Sequence, residues 1–251
     1  MHDEGNLSRD EADWIPWAIF IGPLAAYMLI EIAIISIWER IDVQLDPYQS
    51  ANAILAVAIT RTLLLTGLMA WAIPRVLKTF EFKVSPIAFP IGMLGGVVWI
   101  ALCNLNVESI ALEILGLPSD FLGSRAAVNP WELFDTDSSL HAFLITRFSL
   151  LVLAVPIAEE LFLRGFLIRY AESPTWETLR LKDIGIAGFL TAVAYGVLTH
   201  PAEWLAAAVW FSLITIMMMR TKRFWDCVIA HSITNLILGI YVIALQDWRL
   251  W

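Results

Sequence analysis

Residues 148–165 read FSLLVLAVPIAEELFLRG: an apolar stretch from Phe148 to Ile157, then the adjacent acids Glu159 and Glu160, then Arg164. An apolar run of this kind belongs either to a protein core or to a membrane, and the composition of the whole chain decides between them. The 251 residues are 59% hydrophobic and only 16% charged, with a mean hydropathy of +0.72. A soluble domain is closer to half apolar and a quarter charged. The stretch is therefore read as a membrane span that ends in charge.

Working outward, a helix needs about 20 residues to cross the hydrocarbon, and the runs 14–38, 51–73, 86–107, 140–164, 183–200, 204–219 and 224–246 are candidates. The fifth and sixth are short. The stretch 108–118 has helical apolar spacing and is a candidate for an eighth, partly embedded helix. The expected fold is all-α: a polytopic transmembrane bundle of seven to eight helices in one integral membrane domain, 1–251, with an acidic tail at 1–13. Residues 117–139 form the longest irregular segment, broken by Pro118, Gly123, Asn129 and Pro130, with Asp135 to Ser138 as the cap of the next helix. The acidic N-terminus lacks the basic region of a cleavable signal, so the first run is expected to remain as a span.

The formal charge of −8 comes from acids in the tail and loops, which reads as solvated charge; the bilayer, not nucleic acid, is the expected partner. Cys103 and Cys227 lie in apolar runs, which indicates neither a disulfide framework nor a cysteine zinc site. Of the sixteen basic residues, Arg9, Arg75, Lys78, Lys83, Arg169, Arg180, Lys182, Arg220, Lys222 and Arg223 fall on one side of a seven-span layout. Arg40, Arg125 and Arg249 fall on the other, and Arg61, Arg147 and Arg164 lie within spans. The bias puts the N-terminus in the cytoplasm.

Three polar clusters interrupt these runs. A charged residue near a helix centre costs roughly 2.5–3.5 kcal/mol on insertion scales, so Glu159 and Glu160 need a reason. Residues four apart share a helix face and adjacent ones diverge by about 100°. Glu160 is thus placed to pair with Arg164, which leaves Glu159 without a cation from its own helix. The second cluster is Tyr195 to Pro201, with His200 at the end of the fifth run. The third is His231 to Asn235, whose first and last side chains point from one face. Each has a plain alternative: solvated acids at an interface, a loop histidine, interhelical hydrogen-bonding residues. Together they supply a carboxylate, two imidazoles and an amide, enough for hydrolysis of an amide by activated water without a Ser or Cys nucleophile.

At these residues the chain resembles the CPBP family of CAAX proteases and bacteriocin-processing enzymes. That family carries Glu-Glu-x-x-x-Arg, Phe-x-x-x-His and His-x-x-x-Asn on successive membrane helices. The first motif is matched by Glu159, Glu160 and Arg164, the third by His231 and Asn235. In the second, His200 is retained, but Gly196 stands at the Phe position and the aromatic is Tyr195, about 140° round the helix from His200. The resemblance covers 140–245 and implies a catalytic core there. Glu159 would activate water with His200, His231 and Asn235 would stabilise the oxyanion, and Glu160 with Arg164 would hold the site. No cofactor is implied in this reading; a competing zinc reading would use Glu159, His200 and His231 as ligands, though the chain has no His-Glu-x-x-His motif. The segment from His200 to Leu238, with Trp204, looks most like the exosortase-associated bacterial branch, which implies a bacterial inner membrane. The substrate implied is a membrane-associated protein or a lipidated peptide.

Two rivals are a non-catalytic scaffold or immunity protein of the same fold, and a proton-coupled transporter, for which Glu31, Arg61 and Arg147 speak. Depth is a further issue. His200 lies about 25 Å along the fifth run but His231 only about 10 Å into the last, so a tilt, or a break near Gly196 or Pro201, is expected to bring them level. The charge bias itself is testable: cysteines placed in the 74–85, 171–182 and 220–223 loops should react with impermeant maleimide only from the cytoplasmic side. Labelling of the last loop from outside overturns the layout.

Overall fold

The computed structural model describes residues 14–41, 47–118, 121–123 and 129–250; the acidic tail, Arg9 and Arg125 lie outside them. Among the described residues every regular element is helical. Helices α1 (Trp14–Phe20) and α2 (Gly22–Ile41) share the first apolar run. The interruption falls at Ile21, before the Gly22-Pro23 step, where proline contributes no N–H to the ladder. Helix α3 is Pro47–Thr79, α4 is Ala88–Asn104 and α5 is Val107–Ile114. Helix α6 runs Asp137–Glu172, α7 is Ile186–Thr199, α8 is Trp204–Thr221 and α9 is Phe224–Leu245. The chain is an integral membrane protein: among the described residues five helices are long and apolar enough to cross a bilayer, Ala51–Thr79, Ala88–Ile114, Asp137–Glu172, Pro201–Thr221 and Phe224–Leu245.

Three differences from the sequence reading matter for the site. The candidate eighth helix, 108–118, is the short α5, which continues α4 beyond a left-handed Asn106 (φ 49°). At eight residues it covers only about 12 Å. Its Glu108 carboxylate accepts the N–H of Leu205 at 3.1 Å, capping the start of α8. Helix α6 extends past Arg164 to Glu172, so the charged motif is mid-helix rather than at a helix end, and Thr136 caps its start through Ser139 N. Helix α7 has fourteen residues and stops at His200, after which Pro201–Glu203 form a 3-10 turn.

An aromatic floor closes one end of the bundle. Phe80, just after α3, stacks on Phe224 at 4.7 Å and packs edge-on to Phe20, and Phe20 in turn meets Trp176. The buried Arg169 guanidinium lies over Phe20, Phe80 and Trp176 and donates to the carbonyls of Gly165, Glu177 and Leu179. It thereby folds the α6–α7 connection beneath the floor. A Cβ on Gly165 would run into Phe20, so Gly165 and Phe224 lie at one level. Glu159 and His231 are six and seven residues from that level, about 9 and 10 Å along their helices. Helix α7 starts lower, because Gly188 sits against the Ile168 carbonyl and Glu172 accepts the N–H groups of Gly185 and Gly188. His200 is therefore only about 13 Å above the floor. The apparent mismatch of depth disappears because α7 begins about one turn lower than α9.

Helix α4 reaches α9 through glycines. A Cβ on Gly92 would stand 2.6 Å from the Ala230 carbonyl and 2.8 Å from Ile233 Cβ, and one on Gly96 would stand 2.9 Å from Ile237 Cβ. Without a hydrophobic drive between helices in lipid, such close approach of small residues is what holds them. Thr234 of α9 donates to the Gly92 carbonyl at 2.9 Å and accepts from Trp210 Nε1 at 3.0 Å, tying α4, α8 and α9 together. Gly92→Val should therefore push α9 outward and cost about 1–3 kcal/mol as an overpacking change, read as a lower melting temperature in detergent. An unchanged melting temperature would show that the two helices are not held at this contact.

Candidate functional site

Each polar motif reaches the site for a local reason. Four residues along α6 bring Glu160 Oε2 to 3.5 Å from Arg164 Nε, with both side chains buried. Arg164 also donates to Thr215 Oγ1 of α8 at 3.3 Å, and its guanidinium lies 5.7 Å from the Phe211 ring centre. The other oxygen of Glu160 sits 3.0 Å from His231 Nδ1 of α9. One buried carboxylate thus joins its own helix to two others.

His231 touches both acids. Its Nε2 lies 3.5 Å from Glu159 Oε2 while its Nδ1 faces Glu160. With Nδ1–H donated to Glu160, the opposite nitrogen is directed at Glu159. The two glutamates differ sharply in exposure: the Glu159 side chain is 19% accessible and that of Glu160 1%. The sequence pairs Glu160 with Arg164, and that pair forms; the bridge from His231 to both acids was not legible, since it depends on where α9 packs.

Asn235, one turn beyond His231, donates Nδ2–H to the Leu151 carbonyl at 2.9 Å. Leu151 lies in a π-helical segment, Leu150–Ala154, where the main-chain ladder is widened. An amide nitrogen carries two hydrogens, and this bond takes one of them. His200 ends α7 with φ −130° and ψ 58° and directs Nδ1 at the Gly196 carbonyl, 3.1 Å away, beside the Thr199 hydroxyl at 2.9 Å. The break expected near Pro201 is thus real, and it aims the imidazole.

The missing aromatic of the second motif is supplied by a neighbouring helix. A Cβ at Gly196 would run into the Phe211 ring of α8. Phe211 lies 5.9 Å from the His200 ring and 5.7 Å from Tyr195. Tyr195 in turn packs on Phe162, two residues past Glu160. Trp99 lies edge-on to His200 at 5.3 Å and Trp210 edge-on to His231 at 4.7 Å. These indoles and Phe211 complete the walls, and the motif reading missed them. The signal available for Trp210 was a mid-span indole N–H, which needs a buried acceptor.

Glu159, His200, His231 and Asn235 all line one cavity of about 310 Å³, together with Tyr27, Trp99, Arg147, Trp210, Phe211, Thr234 and Leu250 among others. Such a space holds several waters by volume, and its lining is polar enough to keep them. Among the described residues no three His, Cys, Asp or Glu side chains are grouped so as to hold a metal ion, and the set Glu159, His200 and His231 is no exception. Cys103 and Cys227 are free thiols, Cys227 buried.

Residues 141–237 match the family model described as type II CAAX prenyl endopeptidase Rce1-like. This part of the chain is similar to an Rce1-like domain. No curated protein and no solved structure matches the chain. The Rce1-like segment starts four residues into α6 and ends within α9, so it contains every polar motif and all of α7 and α8. At the level of the family, that match supports an intramembrane endopeptidase of the CAAX-protease kind.

In this Rce1-like segment Gly196→Phe should be strongly destabilised by collision with Phe211. The double variant Gly196→Phe with Phe211→Ala returns the aromatic to α7 and should recover most of the lost thermal stability. A double variant no more stable than the sum of its singles would mean that the two rings do not compete for one space.

Proposed function

We propose that the protein hydrolyses a peptide bond in a membrane-associated protein or lipidated peptide, with Glu159 as the base that activates a cavity water. The observation that carries this reading is the division of labour between adjacent acids. Glu160 is buried against Arg164 and His231, whereas Glu159 borders the cavity. A carboxylate held at a polar cavity in a low-dielectric bundle suits general base work.

In the proposed reaction a water between Glu159 and His200 gives a proton to Glu159 while its oxygen bonds to the peptide carbonyl carbon. The carbonyl becomes an oxyanion, for which the second Asn235 N–H and, in the imidazolium form of His231 with Nδ1–H held by Glu160, its Nε2–H are the proposed donors. When the C–N bond breaks, the leaving nitrogen takes the proton from Glu159, which returns the base to its starting form and yields one acid and one amine. Glu160 serves as a positioning residue, fixing the His231 ring through Nδ1. The orientation proposed is N-terminus cytoplasmic, on the charge bias of the loops, and the membrane proposed is a bacterial inner membrane, on the resemblance to the exosortase-associated branch.

Two substitutions separate the roles. Glu159→Gln keeps the shape but takes no proton, so cleavage of a reporter peptide should fall by about 10²-fold or more with folded yield unchanged. Glu160→Gln leaves Arg164 without its buried counter-charge and should cost about 3–5 kcal/mol of stability, read by thermal or denaturant unfolding. Activity should also survive exhaustive chelation, with no stoichiometric zinc by elemental analysis. Full activity in Glu159→Gln sinks the assignment; activity lost on chelation and restored by zinc replaces the glutamate mechanism with the metal one.

A further inference from the structure

The cavity has a second end. Arg147 lines it along with Tyr27, Leu238 and Leu250, and no step of the proposed reaction uses Arg147. On an uninterrupted α-helix, residues twelve apart point about 120° away from one another. Helix α6 is interrupted: Leu150–Ala154 is π-helical, with Val155 N–H bonded to the Leu150 carbonyl, which winds one extra residue into the ladder between Arg147 and Glu159. Twelve residues then turn like eleven, and the two side chains come within about 20° of a common line. Arg147, Leu151, Val155 and Glu159 accordingly form one stripe along the cavity wall.

A guanidinium within a membrane helix is costly in lipid and is characteristically found facing a cavity or pathway. Here it has reinforcement, because Arg61 of α3 stacks over the ring of the cavity residue Tyr27 at 4.4 Å. Along the cavity wall the Glu159 carboxylate and the Arg147 guanidinium stand about three turns apart, acid toward one end and cation toward the other. Leu250, from the 3-10 turn Trp248–Leu250, is also part of its wall and is buried there. An apolar residue of an irregular chain segment is thus accommodated in the same wall as Arg147.

We propose that the Arg147 end of the cavity is a subsite for a carboxylate carried by the bound peptide. The proposal rests on the endopeptidase reading for the ligand being a peptide. With one residue wound in, the rise between Arg147 and Glu159 is about 16–17 Å, and an extended chain covers about 3.3–3.6 Å per residue. The carboxylate therefore lies about five residues from the scissile bond, as a chain terminus or as an Asp or Glu side chain. Arginine suits this task because its planar fork meets both carboxylate oxygens.

The test uses the full chain in detergent micelles, with empty micelles as blank, and a fluorescein-labelled decapeptide of alanine, serine and leucine. Three forms are compared by anisotropy: C-terminal acid, C-terminal amide, and amide with one internal Asp. Wild type should bind the acid or the Asp form about tenfold or more tightly over the plain amide, as expected for a charged hydrogen bond; which of the two gains identifies the source of the carboxylate. Arg147→Gln should abolish the preference and Arg147→Lys should keep part of it, which separates loss of the cation from misfolding. Equal binding of all three forms by wild type, or an undiminished preference in Arg147→Gln, overturns the subsite. Cleavage is followed in parallel: a preference without cleavage supports the subsite and counts against the peptidase reading, whereas cleavage without preference removes the subsite alone.

Discussion

A carboxylate buried inside a membrane bundle must be paired, and the way Glu160 is paired organises the structure around it. Arg164 alone would meet the charge requirement, and the i, i+4 spacing would supply it within one helix. Glu160 instead uses its second oxygen on His231, and Arg164 reaches on to Thr215. Helices α6, α8 and α9 are thereby held in one azimuthal arrangement about a point. Apolar packing alone would not fix that arrangement, because lipid competes equally well for apolar faces. Buried ionic groups contribute little net stability when compared with apolar replacements, so their effect here is on geometry.

The remaining contacts build on that point. Glycines on α4 let it lie against the α9 backbone, and the Trp210–Thr234–Gly92 relay closes the angle between α8 and α9. Helix α7 is anchored from below by Glu172 and from the side by Phe211 in the space over Gly196. Each histidine is then oriented through Nδ1, His231 by a carboxylate and His200 by a main-chain carbonyl. The result is a polar cavity whose carboxylate and imidazole groups come from three different helices.

How much of this was legible in the residues depends on the range of the interaction. The all-helical membrane class follows from composition, and the Glu160–Arg164 pair and the common face of His231 and Asn235 follow from helical period. The N-cap falls within the expected stretch Asp135 to Ser138, at Thr136, because short oxygen-bearing side chains are the ones that cap a helix start. What escaped is what requires a second helix: His231 between the two acids, and Phe211 standing in for an aromatic at 196. The small-xxx-small spacing of Gly92 and Gly96 was a readable signal that went unused. The π-helical segments within α6 were not readable, since one wound-in residue leaves the apolar pattern of a membrane span unchanged. Span boundaries erred where a run of apolar residues did not coincide with a helix, as at 183–200, of which only Ile186–Thr199 is helical.

Helix α7 presents Ile186, Leu190 and Leu198 outward, each more than half exposed, so lipid lies against it. At fourteen residues it offers those lipids a wall of about 21 Å, against a hydrocarbon thickness of about 30 Å. Thinning is one way a bilayer accommodates a short wall, and a film thinned beside α7 would dip on the flank where His200 ends the helix. On the endopeptidase reading, a membrane-tethered chain approaching along that flank would descend into the dip with its own anchor still in place. The distance over which its backbone must shed water before reaching the cavity would then be set by the length of one short helix rather than by the thickness of the membrane.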